Sequence, residues 1–190
     1  WEPTFLDPFD LVVVGGGAAG FMTAVTAAEN GVERIIILEG SSKLMEKVRI
    51  SGGGRCNVTN ASWIPNELAE NYPRGGIKLL ESFNRFAAGD VFDWFEKRGL
   101  NLKIEADNRV FPVSDSSLDV ISCLKKNAIN KGVEISTKFF VKEILKTSDN
   151  LFTIFNSEKI SIIAKNIILS TGGHPSGYKL AKNFGHSIIR

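Results

Sequence analysis

Leu11-Val12-Val13-Val14-Gly15-Gly16-Gly17-Ala18-Ala19-Gly20, with Glu39 ~20 residues further on, is the stretch whose reading decides the fold. From Phe9 to Val14 the chain is apolar and β-branched without a break, the pattern of a strand buried on both faces. Three glycines stop it. Ala18 to Asn30 then carries helix-forming alanines with Phe21, Met22, Val25 and Ala28 at apolar positions, and Gly31 closes the run. Arg34 to Leu38 is a second buried strand ending on Glu39. Residues 11 to 39 therefore read as one β-α-β unit, which topology rules make parallel and right-handed.

Gly15, Gly17 and Gly20 form a G-x-G-x-x-G at the strand-to-helix turn, the context a dinucleotide fingerprint requires. Gly15 permits the tight turn, Gly17 lets backbone approach a pyrophosphate, and Gly20 lets helix pack on strand. Ala18 and Ala19 occupy the first helical turn, whose free N–H groups and positive dipole end suit that anion. Glu39 is placed to accept hydrogen bonds from an adenosine ribose, and its charge disfavours a 2′-phosphate. The fingerprint reads as an ADP moiety and leaves NAD and FAD both open.

A second cluster lies just downstream. Lys47 to Asn60 reads Lys-Val-Arg-Ile-Ser-Gly-Gly-Gly-Arg-Cys-Asn-Val-Thr-Asn. Backbone N–H groups of such a loop can form an anion-binding concavity, with Lys47 or Arg55 adding charge. The plain alternative is a surface loop with tight turns. Its place in the chain suits wrapping the far half of an extended cofactor, and so a resident flavin better than a nicotinamide that comes and goes.

The remainder is organised around that start. Residues 40 to 60 read as loop. Ile77 to Gly99 reads as one or two helices whose aromatics, Phe83, Phe86, Phe92, Trp94 and Phe95, are packing residues. Leu102 to Ile104 and Val110-Phe111 form a small hairpin, and Ser117 to Lys131 is an amphipathic helix with Leu118, Ile121, Leu124 and Ala128 on one face. Short strands from Val133 to Ile163 suggest a β-meander attached to the main sheet. Asn166 to Ser170 returns as a buried strand before Thr171-Gly172-Gly173, and Tyr178 to Phe184 is a short helix ended by Gly185. The whole, 1–190, is one FAD/NAD(P)-binding domain carrying a largely helical insertion over 61–131.

Composition bounds the function. The chain has 190 residues, 43% hydrophobic and 23% charged, so it is an ordinary globular chain. Lys+Arg of 23 against Asp+Glu of 21 leaves a net +2, which nominates no nucleic-acid partner. Two cysteines, Cys56 and Cys123, make no disulfide framework and point to a reducing compartment. Nothing reaches the ~20 apolar residues of a membrane span. The expectation is therefore cytoplasmic, and the opening at Trp1 rather than Met suggests a trimmed N-terminus, which leaves an organelle as the alternative. There is no metal-ligand spacing and no serine-histidine-acid set. Cys56 reads as a small packed thiol near the cofactor and Cys123 as a core or boundary residue. His174 reads first as a loop histidine, with proton transfer the sharper alternative, and His186 as a cap. Arg109 either anchors an anion or pairs with Asp107.

The fingerprint, the Ser51-Gly52-Gly53-Gly54-Arg55-Cys56-Asn57-Val58-Thr59-Asn60 block, Arg109-Val110-Phe111-Pro112, and Thr171-Gly172-Gly173 followed by Gly185-His186 resemble the BaiN-type FAD-dependent oxidoreductases, also described as aminoacetone oxidase-like. The resemblance implies an α/β, Rossmann-like FAD-binding fold of glutathione-reductase type, with a central parallel sheet, a β-meander crossover and a helical insertion. It sets the pyrophosphate at Gly15, Gly17, Ala18, Ala19 and Gly20, and the ribose at Glu39 with Gly40 beside it. Lys47 and Gly53, Gly54, Arg55, Cys56 and Asn57 come toward the phosphates, ribityl chain or flavin. Val141 presents backbone to adenine, and Thr171 and Gly172 line the cofactor. Because members of that family run longer, the chain is expected to be a fragment whose flavin site lacks one wall. The implied function is an FAD-dependent oxidoreductase transferring hydride through a noncovalent flavin, from NAD(P)H or a small organic substrate, with no side chain nominated as catalytic. An NAD-dependent dehydrogenase and a non-catalytic ADP-ligand-binding module are the alternatives. Substrate and oligomeric state are not specified.

Overall fold

The computed structural model describes residues 7–189, and the expectation attached to Trp1 lies outside them. Strand β1 (Leu11–Val14) and strand β2 (Ile35–Leu38) are buried at every position, as continuous aliphatic runs between covered faces should be. Full burial of each such side chain contributes about 1.5–3 kcal/mol. Between them, α1 (Ala18–Glu29) buries Gly20, Phe21, Ala24 and Val25. It stops at Gly31, whose φ of +88° is the left-handed conformation that ends helices cheaply only at glycine.

The chain divides into two compact units, Lys47–Cys123 and the residues before and after it. The second unit opens with α2 (Glu46–Ile50), which is entered one residue earlier, and a tight turn over Ser51–Gly54 whose Gly52 and Gly53 take left-handed backbone. It continues with β3 (Thr59–Asn60), α3 (Pro65–Glu70), α4 (Gly76–Phe83), α5 (Ala88–Glu96), β4 (Leu102–Ile104) and β5 (Arg109–Pro112). Strands β3-β5-β4 form a small antiparallel sheet, so the expected hairpin is present and gains a third strand. Leu68, Ala87 and Ala88 form a small core with Phe83 against it. The unit's bounds differ from the 61–131 span read from sequence: residues 47–60 pack with it, and residues from Leu124 pack with the other unit.

Two readings are corrected here. Residues 40 to 60 are not all loop, since α2 forms with Glu46 in its first turn, Lys47 and Arg49 in its last, and Val48 buried. That charge order complements the helix dipole, but five residues among glycines are too few to show periodicity. In α6 (Ser117–Asn130) the buried positions are Ser117, Val120, Leu124 and Ala128, while Leu118 is 59% exposed. The apolar stripe is thus rotated from the one Leu118 suggests, because Ser117 turns inward to donate its hydroxyl to the Arg49 carbonyl at 2.8 Å.

Beyond α6 come β6 (Glu134–Ser136), β7 (Val141–Lys146), β8 (Phe152–Asn156), β9 (Ser161–Ala164), β10 (Ile167–Leu169) and α7 (Pro175–Asn183). The parallel sheet has the order β10-β1-β2-β6. Thus β6, expected in the meander, is an edge strand of the main sheet. The meander is β7-β8-β9, antiparallel throughout. Its Val141, Ile144, Ile154 and Ala164 share one core with Val12, Val14, Ile36 and Leu38 of the parallel sheet.

Candidate functional site

Parallel strands deliver ligands at their carboxyl ends, and there the first unit gathers its glycines and its acid. At Gly15 φ is +115°, and a Cβ would lie 2.5 Å from the Ser170 carbonyl oxygen. The amide of Gly15 donates to Leu38 O at 2.8 Å, which locks the turn to β2. A Cβ on Gly20 would run into the Gly15 carbonyl oxygen, so helix and strand approach as closely as backbone allows. Around Gly17 the space is open, with nothing within 4 Å of where a Cβ would be. Gly17 caps α1 without a side chain, and no acidic residue sits in the first turn. Intrahelical bonding starts with Phe21 N–H donating to Gly17 O, so the amides of Ala18, Ala19 and Gly20 have no partner inside the helix.

Glu39 faces this loop directly. Its Oε2 accepts the Gly16 amide at 2.9 Å and its Oε1 accepts the Ser41 amide at 2.8 Å. A carboxylate offers about four lone-pair sites, so the two amides orient the group and leave acceptors for ribose hydroxyls. Next to it, the Phe139 amide donates to Glu39 O at 2.9 Å and Lys138 N–H donates to Ser41 O at 2.8 Å. The strand leading to Val141 is thereby zipped along Glu39 and Gly40. Val141 is buried in the shared core, so only its backbone is available to a ligand.

On the other flank, Thr171 and Gly172 follow β10, with Gly172 at φ +57°. Gly177 packs so tightly on Thr171 that a Cβ there would overlap the Thr171 hydroxyl. Sequence reasoning passed over Ser170. Its amide donates to Val14 O at 2.8 Å, and its hydroxyl lies 3.0 Å from Val14 O and 3.1 Å from Gly15 O. A serine directly after an apolar strand and before Thr-Gly-Gly was the available signal. His174 caps α7, its Nδ1 accepting the Ser176 amide at 3.2 Å.

In the second unit, Gly52, Gly53 and Gly54 have φ of +56°, +68° and +87°, and Cys56 follows at +62°. Gly53 and Gly54 have open space where a Cβ would be, so their backbone can be approached closely. Lys47 is exposed on α2. The Arg55 guanidinium stacks 3.8 Å above the Phe111 ring centroid and pairs with Glu105 at 2.6 Å and Asp115 at 3.4 Å. Those acids, the Glu105 hydrogen bond foremost, raise the Arg55 pKa above its ordinary value. Asn57 accepts the Val110 amide at 3.2 Å. Cys56 is a free buried thiol whose pKa burial pushes up, against a lowering hydrogen bond with Ser51. Arg109 pairs with Asp107 at 2.7 Å and Glu105 at 3.5 Å, the ion-pair reading of that residue.

The turn, the open N-terminus of α1 and the oriented acid fit the ADP half of a dinucleotide cofactor. The family model described as HI0933-like protein Rossmann domain matches residues 9–190. The chain is 30% identical over 185 residues to the 3-dehydro-bile acid delta(4,6)-reductase of Clostridium scindens, a match spanning 93% of this chain and 44% of that protein. It is 25% identical over 192 residues to the ribosomal RNA dihydrouridine synthase of Escherichia coli, across 97% of this chain and 46% of that protein. The chain thus spans less than half the length of these relatives. Among solved structures, the open conformation of a flavocytochrome c3 fumarate reductase is similar, with a TM-score of 0.65 at 23% identity over 90% of this chain and 34% of that one. At that identity the likeness speaks for the fold, a Rossmann-like α/β architecture.

Proposed function

Because the chain belongs to the HI0933-like family of FAD-binding Rossmann domains, we propose that the protein of which it forms part is an FAD-dependent oxidoreductase taking electrons from NAD(P)H. The observation that carries this is Glu39 held by the Gly16 amide at 2.9 Å, which joins ribose acceptor and pyrophosphate turn in one element. Gly15, Gly17, Ala18, Ala19 and Gly20 bind the pyrophosphate through backbone, and Glu39 with Gly40 takes the adenosine ribose. Val141 presents backbone to the adenine, and Thr171 and Gly172 line the cofactor. Gly53 and Gly54 serve the rest of the cofactor by close backbone approach and Lys47 by charge, while Arg55, Cys56 and Asn57 hold that loop in place through Glu105 and Phe111, burial and the Val110 amide. FAD supplies hydride transfer when bound.

The relatives' names support one substrate class. The names of the 3-dehydro-bile acid delta(4,6)-reductase and the dihydrouridine synthase both describe reduction of a carbon–carbon double bond conjugated to a carbonyl group. We therefore assign an α,β-unsaturated carbonyl compound as substrate. With a net charge of only +2, a small molecule is favoured over RNA. No helix among the described residues is long and apolar enough to cross a membrane.

The test is the visible spectrum of the purified full-length protein, followed by anaerobic NADH or NADPH and then a small enone. Flavin bands that bleach with nicotinamide and return with the enone support the proposal. A colourless protein that binds NADH saturably without displacement by FAD overturns it in favour of a diffusible-NAD dehydrogenase.

A further inference from the structure

Phe139 and Val141 are buried at 7% and 5%, while Phe140 between them is 42% exposed. Alternation along an extended segment turns Phe140 outward, but its ring does not hang free. A Cβ on Gly40 would stand 2.9 Å from Phe140 Cδ2, so the ring occupies the room that any side chain at position 40 would need. Its other neighbour is the His174 ring, edge-on at 6.1 Å between centroids and 75° between planes. His174 is itself fixed by accepting the Ser176 amide and by a 2.8 Å contact with the Ser176 hydroxyl. An exposed aromatic face is thus held at the residue following Glu39, where the sheet delivers its ligand.

Resting on the FAD reading, we infer that Phe140, braced by His174 and given its place by Gly40, is the stacking platform for the adenine base. The ribose on Glu39 and the base it carries are neighbours by covalent geometry, and the Lys138–Ser41 and Phe139–Glu39 hydrogen bonds tie the platform to the acid. With Nδ1 accepting, the ring proton of His174 sits on Nε2, a donor at the rim of the platform. Phe140 is a specificity residue: it selects a ligand with a base on the ribose, and so FAD over FMN.

The experiment uses the full-length protein freed of flavin. Binding of FAD, ADP and ribose 5-diphosphate, which is ADP without its base, is measured for wild type, Phe140→Ala and Phe140→Tyr, with melting temperature as the folding control. Base–aromatic stacking predicts that Phe140→Ala weakens FAD and ADP by about 5- to 150-fold, leaves ribose 5-diphosphate unchanged, and that Phe140→Tyr binds as wild type. Equal weakening of all three ligands, or none, overturns the platform. If wild type binds neither FAD nor ADP, it is the flavin reading that fails instead.

Discussion

Glu39→Gln keeps the shape of the side chain and removes its charge, which isolates what the acid does. In the structure both carboxylate oxygens are used, one by the buried Gly16 amide at 2.9 Å and one by the Ser41 amide at 2.8 Å. Glutamine has one acceptor oxygen and one NH2, so one amide must lose its partner. The cheaper arrangement turns the oxygen to Gly16 and the NH2 toward exposed Ser41, whose N–H water can then satisfy. A hydrogen bond to a charged group contributes about 1.5–3 kcal/mol, and access of water at Ser41 sets the expected loss at about 1.5 kcal/mol. For a protein of this size that lowers Tm by about 3–6 °C. The same variant offers the ribose one neutral acceptor in place of an ionised pair, and ADP affinity drops by about tenfold. Thermal denaturation and calorimetric titration with ADP read the two effects separately. A glutamine variant that melts with wild type and binds ADP equally well would refute the assignment of Glu39 both to the turn and to the ribose.

Gly20→Ala has the opposite logic: alanine favours helix by about 0.8–1.0 kcal/mol, yet its methyl meets the Gly15 carbonyl, and backbone cannot yield as a side chain can. The expected result is a net loss of about 1–3 kcal/mol in urea denaturation together with loss of flavin absorbance. The hydrogen bond from Lys103 holds the Asp115 carboxyl below its ordinary value. The native state therefore binds fewer protons there than the unfolded state, and this contribution is present above the usual carboxylate range and lost as pH falls through it. Lys103→Met should flatten the acid limb of a stability–pH curve below about pH 4, and an unchanged limb counts against the pairing. Burial raises the Cys56 pKa, so its stability contribution is complete below the unfolded thiol value of about 8.5 and declines as pH rises past it. Iodoacetamide at pH 8 should alkylate Cys56 only at the rate of unfolding, and rapid modification of the native protein would contradict its burial.

How far the site was legible follows from where each signal resides. Gly15 is demanded by its own φ and Gly20 by Gly15, five residues away, so both are written locally. The Gly53 and Gly54 turn was read for the same reason. Arg55 was different, because its charge looked available to a phosphate. Glu105, Asp115 and the Phe111 ring, which engage it, arrive from distant sequence and leave no mark around position 55. Phe140 was passed over because an exposed aromatic is unremarkable until Gly40 and His174 are seen against it.

The β1-α1-β2 unit and its parallel sense were legible in the sequence, because burial on both faces writes an unbroken aliphatic run and a tight turn writes glycine. Tertiary structure alone decided that β6, a Glu-Ile-Ser strand without such a run, pairs with β2 rather than the meander. It also decided that α6 turns Val120 and Ser117 inward instead of Leu118, and that Glu39 grips the Gly16 amide. Each of these is a choice of partner. Pairing free energy depends on which surfaces are left uncovered once everything else has packed, and no local run of residues carries that information.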